Sequence, residues 1–224
     1  MFMKKFSLVI LFISFSLSAG ESSSSLHMTP RFSLDYYASE SDKYFDTLDT
    51  YAPRDSKPKY SSHVIRWEWY PWLYLTAHRR WSLRLDRILL LYPTKVINRN
   101  CKGFSIQPFG RCHVTFHYLK GNHLVDIYEE FTFNDQGEIT FIEAWTDEPG
   151  FSPMNPDDYW AEELSVKRLS TKVPGLGSTT GRYNKKEIKK LAKNDKDLKN
   201  LLKRLRFPVS FWLFEAVRFG FKRN

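Results

Sequence analysis

Acidic side chains set into an apolar strand face are the residues in this chain best placed to do chemistry. The run Arg111–Trp145, RCHVTFHYLKGNHLVDIYEEFTFNDQGEITFIEAW, reads as three successive antiparallel strands. Alternation puts Cys112, Val114, Phe116 and Tyr118 on one face with Val125, Ile127, Glu129 and Phe131. His113, Thr115 and His117 share the other face with Asp126, Tyr128 and Glu130. Glu129 therefore points into the greasy side. An unpaired carboxylate there is costly, so its pKa is expected to rise. A carboxyl kept neutral can donate a hydrogen bond to a developing oxyanion or act as general acid or base. The competing reading is an acid at the open rim of the sheet, or one paired with an arginine from a helix.

Glu143 is the second catalytic candidate. The hairpin through Asn134-Asp135-Gln136-Gly137 leaves its register open by one residue. One register sets Glu143 opposite Glu129, where two carboxylates must share a proton or a cation. The other, slightly preferred, sets Ile142 opposite Glu129 and turns Glu143 away. His113 and His117 have the i, i+4 spacing of a helical metal motif. On a strand they lie roughly 13 Å apart, too far for one ion. Cross-strand pairs with Glu130 and Asp126 explain them better, and neither a metal nor a cofactor is expected.

The first hairpin turns at Gly121-Asn122, a favoured two-residue turn, which pairs Leu119 with Leu124 and His113 with Glu130. Upstream, Trp67, Trp69 and Tyr70 belong to an aromatic cluster. They read as core, or as the wall of a pocket for a flat ligand, and the two can coexist. With Phe116, Tyr118, Ile127, Phe131 and Ile142 they complete the expected lining. After Pro71 the spacing turns helical through Trp81, Leu85 and Tyr92, and Pro93 ends that helix. A short helix is also expected within Tyr36–Ala52.

The ends of the chain have a different character. Residues 1–20, MFMKKFSLVILFISFSLSAG, have the charged, apolar and small-residue regions of a secretory signal peptide. A secreted or periplasmic location is the expectation. Cys101 and Cys112 form an even pair in such a chain, which invites a disulfide. A tight turn at Pro108-Phe109 would instead set Cys112 opposite Ser105, so the pairing stays open.

The chain's net charge of +9 lies wholly after Gly150. Residues 151–224 hold 17 Lys+Arg and 8 Asp+Glu, and the preceding part holds 17 of each. Val173–Gly181, VPGLGSTTG, reads as a linker, within a linker stretch of residues 151–184. Residues 185–224 form a basic amphipathic tail, with one helix over Glu187–Arg206. Its stripe either packs on the domain or lies on an anionic membrane. No nucleic-acid partner is expected, because no recognition motif accompanies the charge.

The segment IYEEFTFNDQGEITFIEAW resembles the terminal hairpin of the nuclear transport factor 2-like superfamily. That group includes SnoaL-like polyketide cyclases, ketosteroid isomerases and scytalone dehydratases. The carriers of the resemblance are an aromatic-x-aromatic strand, an Asn-x-x-Gly turn and an Ile-rich strand ending in Ala-Trp. It covers Arg111–Trp145 well and leaves residues 151–224 outside. The resemblance implies an α+β fold over residues 31–150: a cone-shaped, curved antiparallel sheet packed against helices, with a pocket between. A C-terminal helical extension follows.

In the isomerases the strand before this turn carries a protonated acid of the oxyanion hole, and Glu129 stands at the matching position. Their Asp base and Tyr donor have no counterpart placed here. The expected function is a pocket for a small, largely apolar molecule. If catalytic, it would do isomerase, cyclase or dehydratase-type proton transfer. The alternative is a non-enzymatic envelope or membrane-surface module, whose sheet pairs into a homodimer and whose tail docks on lipid.

Overall fold

In the computed structural model the described residues are 30–53, 55–69, 77–78, 93–119, 121–146, 160, 169, 172–173 and 184–206. The fold is α+β. Helix α1 spans Leu34–Asp46 and is capped by Ser33, whose hydroxyl accepts from the Tyr36 N–H. Its buried residues Tyr37, Glu40, Ser41, Tyr44 and Phe45 recur at three-four spacing, which makes one face adhesive. The expected short helix is therefore present.

The strands are β1 (Tyr60–Glu68), β2 (Ala77–His78), β3 (Thr94–Gly103), β4 (Phe109–Tyr118), β5 (His123–Phe133) and β6 (Ile139–Thr146). They form one open sheet in the order β2-β1-β6-β5-β4-β3. Strands β3 to β6 pair antiparallel in sequence order. Strand β1 lies parallel to β6, so the sheet is mixed where a purely antiparallel one was expected. The expectation missed β1 because its run HVIRWEW was counted with the aromatic stretch that follows it. The helix expected after Pro71 and the residue Tyr70 lie outside the described residues.

Helix α1 crosses the inner face of the sheet over β3 and β4. Its approach depends on Gly103 and Gly110, which are directly paired across those strands. A Cβ at Gly103 would stand 2.0 Å from the Leu34 carbonyl oxygen, and one at Gly110 would stand 2.3 Å from the Ser41 hydroxyl oxygen. The core there joins Tyr37, Tyr44 and Phe45 to Val114, Phe116, Phe131 and Ile142.

The outer face is covered by the C-terminal part of the chain. Helices α2 (Lys185–Leu191) and α3 (Lys196–Arg206) replace the single helix expected over Glu187–Arg206. The break is built by Asp195, whose carboxylate accepts from the N–H groups of Asp197 and Leu198. Ile188, Leu198 and Leu201 pack on Ile65, Trp67 and Phe141 with Leu169 and Val173. The amphipathic stripe thus folds back on the domain. Leu169 and Val173 fall in the stretch read as linker, yet both are fully buried.

Both hairpins close in registers other than those expected. Tyr118 pairs with His123 and Phe116 with Val125, because four residues rather than two form the turn. Within it Gly121 and Asn122 both take positive φ. The slip is two residues, so every side chain keeps its face. At the second hairpin the register shifts beside Thr132 and Phe133, and Thr140 is the unmatched residue. The outcome is Phe131 opposite Ile142 and Glu129 opposite Ala144, neither of the two registers considered.

Cys101 and Cys112 are directly paired and joined by a disulfide. The objection from a tight Pro108-Phe109 turn fails. The connection is longer, running from Phe104 to Phe109, whose backbone groups bond at 2.7 Å.

Candidate functional site

Glu129 points into the inner face and is fully buried, as alternation along β5 requires. It is not alone there. Arg66 of β1 places its Nη2 3.3 Å from Glu129 Oε1 and 2.9 Å from Glu68 Oε1. The Nη1 of the same guanidinium donates a short hydrogen bond to the Tyr44 hydroxyl of α1. The guanidinium carbon also lies 5.4 Å from the centre of the Tyr44 ring. Arg66, Glu68 and Tyr44 are all buried.

The elements dictate this assembly. On β1, Arg66 and Glu68 alternate with Ile65 and Trp67, so the two charges share the inner face. Strand β6 between β1 and β5 offers Ala144 in line with both Glu68 and Glu129. That small side chain leaves room for the long charged ones above it. Tyr44 reaches them because the glycine pair lets α1 sit low on the sheet.

A carboxylate beside a guanidinium is favoured in its charged form. Glu129 therefore has an arginine partner, as the competing reading expected, and Arg66 of strand β1 supplies it. The cluster is ringed by apolar groups. Tyr44 stands 5.2 Å from the Phe131 ring, and Phe45 stands 6.0 Å from Phe131 and 6.3 Å from Phe116. Ile127 and Ile142 are buried in the same cluster, and Tyr118 is packed against it half-buried.

Glu143, Trp67 and Trp69 lie on the outer face. Glu143 is buried there, opposite Glu130 rather than Glu129. Its Oε1 accepts from Trp69 Nε1 at 2.8 Å and from the Leu169 N–H at 2.6 Å. Trp67 packs among the outer-face residues with Trp69 against it. A carboxylate pair of Glu129 and Glu143 is excluded by the face they occupy, and Trp67 and Trp69 do not wall the Glu129 cluster. The period of two separates residue 66 from residue 67 as surely as it separates 129 from 130.

The histidines have other partners than those expected. Glu130 binds Arg111 at 2.9 Å, and Asp126 accepts from the Thr115 hydroxyl at 2.5 Å. His113 packs on Tyr128 with ring centres 4.4 Å apart, and His117 Nε2 lies 2.8 Å from the Asn122 side-chain oxygen. Among the described residues no group of three His, Cys, Asp or Glu could hold a metal ion.

Sequence reasoning missed Arg66, Glu68 and Tyr44. A signal was available: Arg-x-Glu inside the β-rich run VIRWEW places opposite charges on one strand face. No protein-family profile matches the chain, and no curated protein matches it.

Proposed function

We propose that this protein is an exported binding protein of the nuclear transport factor 2-like kind, which holds a small, largely apolar molecule carrying one polar group. The cone-shaped form of the sheet and a hollow beneath α1 belong to this proposal. Arg66 and Tyr44 would receive the polar group, and Phe116, Tyr118, Ile127, Phe131 and Ile142 would line the apolar part.

The observation that carries the reading is the Tyr44–Arg66–Glu68–Glu129 cluster, buried inside an otherwise aromatic and aliphatic face. Buried ion clusters are often no more stabilising than an apolar replacement, so their presence in a core asks for a reason beyond stability. Few polar groups converging in an apolar setting are what small-molecule sites use. The disulfide supports export, since such bonds persist in oxidising compartments.

Binding is favoured over proton transfer by the Arg66–Glu129 contact. A carboxylate held by a guanidinium is a poor general acid, and turnover would require its release from Arg66. Isomerase, cyclase or dehydratase chemistry is thus the narrower form of the proposal.

Native mass spectrometry of the purified chain tests it. The expected result is a discrete mass excess that disappears on denaturation and is lost in Arg66→Met and Glu129→Gln. A bare chain, or an excess unchanged in both variants, would overturn the reading and leave the non-enzymatic module.

A further inference from the structure

The lysines of α2 and α3 have been left facing outward by the packing of the opposite side. Ile188, Leu198 and Leu201 spend the apolar stripe on the sheet, and Arg204 lies over the Trp67 ring at 5.1 Å. Lys189, Lys190 and Lys193 are exposed at the end of α2, and Lys196, Lys199 and Lys203 are exposed along α3. Among the described residues no ion pair holds any of these six. Of the nearby acids, Asp195 and Asp197 both bind Lys172, at 2.8 Å and 3.5 Å, and Glu187 lies exposed in the first turn of α2.

We infer that this face is a docking surface for an anionic phospholipid bilayer, held by charge and without insertion of the helices. An interfacial amphipathic helix buries its apolar stripe in lipid. Here that stripe lies in the protein core, so the classical insertion mode is closed while the charge remains. Six exposed lysines spread from Lys189 to Lys203, with α3 alone about 16 Å long, match a broad anionic plane better than a point ligand. Leu191, 43% exposed among the lysines, adds one shallow apolar contact. Base stacking on single-stranded nucleic acid needs aromatic side chains, and residues 185–206 contain none. Among the described residues no helix is long and apolar enough to cross a membrane.

The test is co-sedimentation of the chain from Glu21 onward with vesicles of phosphatidylcholine, alone or with phosphatidylserine. Residues 1–20, the expected signal peptide, are omitted because their apolar run would itself enter lipid. Expected is binding to the phosphatidylserine vesicles only, with release near about 1 M salt, where the screening length falls to about 3 Å. Lys189→Glu/Lys193→Glu/Lys196→Glu should lower the affinity by at least about tenfold. If that variant does not fold, Lys199→Glu/Lys203→Glu on α3 gives the same readout. Equal binding to phosphatidylcholine, salt-resistant binding, a folded reversal variant that binds as the parent does, or tighter binding to duplex DNA at matched salt would each overturn the inference.

Discussion

Arg66 Nη2 lies 3.3 Å from Glu129 Oε1, joining β1 to β5 across the intervening β6, and both side chains are almost wholly withdrawn from water. This contact decides how the inner face behaves. Removing the cation takes from Glu68 and Glu129 a buried guanidinium that both contact. Removing one carboxylate leaves the guanidinium with Glu68 and Tyr44 still beside it.

Arg66→Met is therefore expected to cost about 3–5 kcal/mol. Glu129→Gln should cost less. Replacing Arg66, Glu68 and Glu129 together by apolar residues of similar volume should recover most of the loss. Urea denaturation of the three variants checks the order, and a triple variant weaker than Arg66→Met would contradict it.

Tyr44→Phe removes the hydroxyl that accepts from Arg66 while keeping the ring. A cost of about 1–2 kcal/mol is expected from the lost charged hydrogen bond. Any co-purifying molecule seen by native mass spectrometry should bind more weakly to this variant. Unchanged stability and unchanged retention would show that the hydroxyl has no part in the cluster.

The glycine pair beneath α1 makes a separate claim. Gly103→Ala places a methyl group against the Leu34 backbone, which cannot swing aside as a side chain would. A loss of about 1–3 kcal/mol is expected. Gly110→Ala meets a serine hydroxyl first and should be the milder change. Thermal melts of the two variants give the comparison.

Reduction of Cys101–Cys112, or its replacement by two alanines, should lower stability by about 3 kcal/mol, from the loop closed over a sequence separation of 11. The readout is the denaturation midpoint with and without reductant. The double-alanine protein should be indifferent to reductant, and a midpoint equal to that of the parent would refute the claim.

Alkaline behaviour should report on Tyr36, whose phenol is pushed up to about 12 from 10.0 by burial and by the negative charge of Glu40. The hydroxyl donates to the Gly137 carbonyl at 2.9 Å, a bond that ionisation destroys. Because the folded-state pKa is raised, this contribution is fully present below pH 10.0 and is lost as pH rises toward about 12. Tyr36→Phe should flatten stability over that window and remove one late-titrating phenol from an ultraviolet titration.

Much of the inner face was legible in the chain alone. Strand alternation assigns Cys112, Val114, Phe116, Ile127, Glu129 and Phe131 to one side, and they lie there despite a hairpin slip of two residues. Facing depends on position modulo two, so an even error in register leaves it intact. The Asn134–Gly137 turn was legible for a similarly local reason: Asn134 Oδ1 accepts from two nearby N–H groups, and Gly137 takes positive φ.

Local pattern did not reveal which strands would be neighbours. The cation beside Glu129 comes from 63 residues upstream through a parallel pairing, and no periodicity announces that. The Cys101–Cys112 bond turned on the length of the Phe104–Phe109 connection, and the Glu143 environment on a bulge at Thr140. Whether the lysine-rich tail would turn its leucines toward lipid or toward the sheet was equally open in its sequence. The outer face, with Ile65, Trp67 and Phe141 in need of cover, decided that. Side-chain direction within an element is a local property of the backbone, whereas partners are chosen by burial summed over the whole chain, which only the assembled tertiary structure expresses.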